Sequence, residues 1–252
     1  MQSKQATTIE EVIDILTEII LESEKNSDPA GYFAALYRNV TLKVKEGIEQ
    51  HFFENNERME KLDVIFANRY ISAYYGYKNQ DPISLSWLKA FELTHKYWPI
   101  VLQHLLIGMN AHISLDLGIA AAQVSKGKDI HALKGDFDKI NEILSSLVSQ
   151  VEKDLSEIWP TLTTLLKWTK KVDGFLIDFS MEIARDKAWE FAVSLANKPE
   201  EKIQELIEAR DLKVANNAKI ITDPGFIVNL IFAVVRIGER GTVASRINDL
   251  KN

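Results

Sequence analysis

The sequence predicts an all-α fold: a single multi-helix bundle of about ten helices wrapped around a buried central helix near residues 99–124. Gly (11) and Pro (6) are scarce in 252 residues, whereas a β-sandwich spends both on frequent turns. Apolar residues recur at the helical period, as in Ile9, Val12, Ile13, Leu16, Ile19 and Ile20. The stretch Pro99–Val124 is apolar on every side, the mark of a helix enclosed by others.

Each element has its own signal. Thr8 and Glu11 have capping-box spacing ahead of Ile9. Asp28-Pro29, Asp81-Pro82 and Asp223-Pro224 each place an N-cap acid before a first-turn proline, and Pro99 and Pro199 are further starts. These signals predict helices at 9–25, 29–53, 55–78, 82–97, 99–124, 129–159, 161–171, 174–197, 200–222, 224–238 and 241–250. Gly108, Ala111, Gly118 and Ala122 allow close approach to the central helix. With no repeat and no low-complexity linker, residues 1–252 read as one domain.

Charge and composition narrow the function. Charged residues make up 26%, the net charge is −6, and Lys and Arg are interleaved with Asp and Glu. Without a basic block, nucleic acid and anionic membrane are poor partners. The absence of Cys excludes disulfides, thiolate nucleophiles and Cys-ligated zinc, and it fits a cytoplasmic protein. Acidic residues stand where a signal peptide needs an apolar core. Of the two long apolar runs, Pro99–Val124 carries polar residues and Phe226–Ile237 is short, so neither reads as a membrane span. No P-loop, dinucleotide fingerprint, nucleophile elbow or H-E-x-x-H occurs.

The central helix carries His104, Asn110, His112 and Asp116, and each costs about 1–3 kcal/mol if buried without a partner. His112 and Asp116 are four apart and share a face. On a continuous helix His104 and Asp116 lie about 18 Å apart, too far to share an ion. Three readings of the pair stay open: a satisfied core hydrogen bond, two ligands of a divalent metal such as zinc, or acid–base work without metal. Gly108, one turn from each histidine, leaves room for a substrate or another backbone.

Supporting groups must come from other helices. Asp63 lies beside apolar Leu62 and Val64, with Arg58, Asn68 and Arg69 on the same helix to supply an ion pair. Glu182 and Arg185 are three apart, at salt-bridge spacing near Trp189. Asp136 and Asp138 read as caps of the helix that follows Gly135. His51, His95 and His131 read as surface residues. Tyr70, Tyr74, Tyr75, Tyr77, Trp87, Phe91, Tyr97 and Trp98 form an aromatic series, read as core, with an aromatic-lined pocket as the alternative.

The strings GYFAALYRNVT, RMEKLDVIFANRY, LQHLLIGMNAHISLDLG and FSMEIARDKAW resemble a bacterial helical family known as domain of unknown function 5995, from about Gly31 to Leu250. The resemblance implies no particular activity. It does imply that His104, Asn110, His112, Asp116, Asp63, Arg58, Glu182 and Arg185 are the positions to test.

The expectation is an enzyme acting on a small, partly apolar substrate by hydrolysis or another proton-transfer step. Its catalytic residues are His112, Asp116, His104 and Asp63, with Asn110, Arg58, Glu182 and Arg185 contacting substrate. The alternatives are a helical binding protein for an apolar small molecule and a purely structural His–Asp network.

Overall fold

The computed structural model describes residues 2–140, 142–144, 158 and 181–251, with the side chains of residues 181 and 182 excepted. The expected helix at 161–171 lies outside these residues, as do about half of 129–159 and the first turns of 174–197. The fold is an all-α bundle with no strand among the described residues.

The chain runs α1 (Ile9–Asn26), α2 (Ala30–Glu49), α3 (Asn56–Asn79), α4 (Leu85–Thr94) and α5 (Val101–Ala111). A π-helical turn (His112–Asp116) joins α5 to α6 (Leu117–Val124), and a 3₁₀ turn (Ile130–Leu133) follows. The remaining helices are α7 (Met181–Ala196), α8 (Glu200–Thr222), α9 (Phe226–Gly238) and α10 (Val243–Lys251).

The central rod is α5, the π turn and α6. By length and composition Val101–Val124 could cross a membrane, and 83% of its most apolar window is buried inside the bundle. Helices α2, α4 and α8 cover α5, while α3 and α7 cover α6. Two glycines set how closely they approach. A Cβ on Gly108 would lie 2.4 Å from the Phe33 ring, so α2 seats its phenylalanine there and leaves no room for a substrate. A Cβ on Gly118 would lie 2.8 Å from the Ala188 carbonyl, so α7 packs its backbone against α6.

Three helix starts are held by carboxylates from distant parts of the chain. Asp136 accepts the backbone N–H groups of Glu54 (2.6 Å) and Asn55 (3.1 Å) ahead of α3. Asp211 of α8 accepts those of Leu85 (2.6 Å) and Ser86 (2.9 Å) at the start of α4. Glu239 accepts that of Val101 (2.8 Å) at the start of α5. Asp211 and Glu239 satisfy orphan donors in the first turns they meet, and all three place negative charge at the positive end of a helix.

These remote caps correct the predicted starts. Asp136 does not cap the helical residues 134–140 in which it lies but holds the turn ahead of α3, whose own cap is the Asn55 side chain accepting the Arg58 N–H at 2.9 Å. α4 begins at Leu85, not at Pro82, because the Asp211 cap fixes its first turn there. α5 begins at Val101, two residues past Pro99, with the Gln103 side chain accepting the Ile100 N–H at 3.1 Å. α9 begins at Phe226 after Gly225. Thr8 caps α1 as expected, and the Glu11 carboxylate reaches the Thr7 N–H.

Asp136 is fully buried and also pairs with Arg58. Asp136→Ala should therefore lower stability by about 3 kcal/mol in denaturant titrations. A loss under about 1 kcal/mol would show that the Asp136 contacts ahead of α3 are dispensable.

Candidate functional site

The π turn carries the site. Its wide turn closes through the Leu117 N–H donating to the His112 carbonyl, and it puts His112 and Asp116 face to face inside the bundle. Such turns interrupt α-helices often at functional positions. The helix on either side contributes no other Asp, Glu, Lys or Arg between Val101 and Val124.

Asp116 is fully buried and three donors converge on it. Arg69 Nε of α3 donates to Oδ1 at 2.6 Å. Trp87 Nε1 of α4 donates to Oδ2 at 2.7 Å. His112 Nδ1 lies 3.2 Å from the same Oδ2. Burial alone would push the Asp116 carboxyl up, but the Arg69 guanidinium, with the His112 and Trp87 hydrogen bonds, outweighs it and holds the group below the usual carboxylate range. Burial holds the His112 imidazole below its ordinary value despite the Asp116 charge beside it. A neutral imidazole against an ionised carboxylate carries its proton on Nδ1, which leaves Nε2 as an acceptor.

That acceptor is enclosed. The His112 ring stacks on Phe66 at 3.6 Å between centroids, and Tyr37 meets it edge-on at 4.5 Å. Phe33, Tyr70 and Trp87 complete the cage. His112 Nε2 has no hydrogen-bond partner among the described residues.

The other face of Asp116 meets a cleft of about 440 Å³. Ile65, Asn68, Arg69, Ser72 and Ala73 of α3 form one wall. Pro82, Ile83, Ser84 and Trp87 form another, and Gln5 and Gln123 complete the lining. Asn68 clamps the N-terminal segment in place, because its side-chain amide exchanges two 2.8 Å hydrogen bonds with the Ala6 backbone.

The remaining predicted positions disperse. His104 sits on Tyr32 beside a cavity of only about 20 Å³ that Phe33 also walls. Burial first, then the charge of Arg236, pushes its imidazole down to about 3, so it is neutral. The Asn110 amide donates to the Val214 carbonyl of α8 at 3.1 Å. Arg58 pairs with Asp136 at 2.7 Å. Arg185 is buried on α7, and the Glu182 side chain lies outside the description.

Asp63 corrects an expectation. It is buried, yet neither Arg58 nor Arg69 pairs with it. They stand five and six residues away, on other faces of α3, and go to Asp136 and Asp116. Asp63 Oδ2 and the Tyr37 hydroxyl both lack partners among the described residues. Burial, and after it the Asp63 charge, pushes the Tyr37 hydroxyl up.

The metal reading does not fit this arrangement. Both Asp116 oxygens already accept N–H donors, and no cluster of three His, Asp or Glu able to hold an ion occurs among the described residues. Of the aromatic series, Tyr70, Tyr74, Tyr75, Trp87 and Phe91 are core, whereas Tyr97 and Trp98 are exposed. His51, His95 and His131 are exposed as expected.

Arg69 and Trp87 are the partners of Asp116 that the sequence reading does not name, since it offers Arg69 to Asp63 and Trp87 to the aromatic core. A signal for Arg69 exists: it is the one charged residue in Val64–Tyr77, a run otherwise built of apolar and neutral polar residues. A lone cation on a largely apolar helix and a lone acid on another are natural partners.

The fold and site together define an all-α bundle whose buried central helix carries an ionised Asp–Arg–Trp–His network beneath a cleft. The chain belongs to a family of unknown function, DUF5995, whose profile matches residues 9–224. Neither the curated proteins nor the solved structures contain a match to it.

Asp63 also yields a pH prediction. Burial, then the nearby Glu60, raises its carboxyl from 3.8 to about 7. The unfolded chain releases this proton near the ordinary value and the folded protein holds it longer. Stability contributed by Asp63 therefore falls as pH rises between the two values, and the full cost stands above pH about 7. Asp63→Asn should be more stable than the parent at pH about 8, with a flatter profile between about 4 and 7, in denaturant titrations. A variant less stable than the parent at pH about 8 would contradict the unpaired state of Asp63.

Proposed function

We propose that the protein binds a small molecule in the cleft over Asp116, and that the His112–Asp116 pair supports this site from behind. One observation carries the reading. Arg69 is held at Nε by the buried Asp116, yet its side chain keeps 27% of its surface exposed and lines the 440 Å³ cleft. A fixed guanidinium at the floor of a cleft this size suits recognition, because pockets of about 300–1,000 Å³ with a few placed polar groups hold small ligands.

Binding is favoured over chemistry at His112. For proton transfer the free Nε2 must come within hydrogen-bond reach of a substrate. Here the imidazole is buried among aromatic rings and does not line the cleft, whereas Asp116 does. The imidazole instead orients Asp116, and Asp116 orients Arg69. The mixed lining, with Ile65, Ala73, Pro82 and Ile83 beside Ser72, Ser84 and two glutamines, suits a partly apolar molecule.

Ser72 is exposed at the cleft wall, so Ser72→Trp fills the space with little strain. The variant should keep its stability within about 0.5 kcal/mol. Native mass spectrometry of the purified parent should reveal a co-purified small molecule that the variant lacks. Equal occupancy in both proteins would refute the reading.

A further inference from the structure

We infer that the cleft is a site for a small organic monoanion, a carboxylate, whose head group docks on the outer edge of Arg69. The inference rests on the reading of the cleft as a binding site and names what it takes.

The charges decide the class. Only Arg69 and Asp116 among the lining residues are ionised. Their side chains are 27% and 1% exposed, so the charge that a ligand meets is positive. Asp116 uses Nε of the guanidinium. Among the described residues Nη1 and Nη2 hydrogen-bond to nothing else. Their paired N–H groups form a flat fork that matches the two oxygens of a carboxylate.

The same count argues against a phosphate dianion. Asp116 already balances Arg69, and no second Lys or Arg lines the cleft. A carboxylate adds one negative charge to a neutral pair, whereas a dianion adds two in a half-enclosed site. The body of the ligand then lies along Ala73, Pro82 and Ile83, with Ser72 and Gln123 able to meet a polar substituent.

The test titrates the full-length protein with hexanoate and benzoate, and with hexanamide, benzamide and phenyl phosphate as controls. The Trp87 indole N–H, at the cleft floor beside Asp116, is the NMR reporter. The carboxylates should shift it and bind about ten-fold or more tightly than the amides, because a site built for a charged group rejects the analogue that lacks it. Arg69→Lys keeps a cation beside Asp116 but loses the fork, and should cut carboxylate affinity about ten-fold while sparing the amides. Amides that bind as well as the acids, or phenyl phosphate that binds more tightly, would overturn the inference and leave the cleft a binding site. If no probe moves the Trp87 signal, both readings fall. Should Arg69→Lys not fold, the acid–amide comparison on the parent still decides.

Discussion

Asp116 brings an ionised group into a helix that carries no other formal charge, and the surrounding helices are placed so as to meet that demand. A carboxylate moved from water into a bundle core costs several kcal/mol even after relaxation. Here α3 supplies the guanidinium of Arg69 and α4 supplies the indole of Trp87. The π turn brings the neutral imidazole of His112 onto the same oxygen. Three elements are thereby fixed to the central rod by directional bonds, which apolar packing alone does not specify. A well-packed apolar replacement of such a network can equal its stability, so what the network adds is directional positioning of three elements.

The same device recurs at the starts of α3, α4 and α5. Asp136, Asp211 and Glu239 each leave their own element and satisfy the backbone donors at the start of another. Glu239 also gathers Arg236 and Arg246, so the start of α5 is tied to α9 and α10. With the helix starts pinned, side chains on α3 and α4 keep a constant aim. Arg69 can then present its outer edge to the cleft while its inner edge stays on Asp116.

Most of the architecture is legible in the sequence. The all-round apolarity of Val101–Val124 and the periodic stripe of α1 arise from local spacing, so the helices fall close to where they are expected. The starts of α4 and α5 are misplaced because their caps come from Asp211 and Glu239, more than a hundred positions along the chain. The His112–Asp116 contact is legible from its four-residue spacing, but the π turn is not, since no residue there breaks an α-helix. The partners of Asp116 depend on how α3 and α4 dock, and spacing on the central helix says nothing about that. Asp63 misleads for the same reason: it shares a helix with two arginines, and both turn away to acids elsewhere.

The account depends on Asp116 being ionised in the folded core. The direct measurement is the carboxyl-carbon chemical shift of Asp116, assigned by comparison with Asp116→Asn and followed through acid pH in the folded protein. Its midpoint is predicted to lie below the ordinary aspartate value of 3.8, since Arg69, His112 and Trp87 all favour the charged form. A midpoint above 3.8 would mean that burial wins over those partners, and it would contradict the network described above.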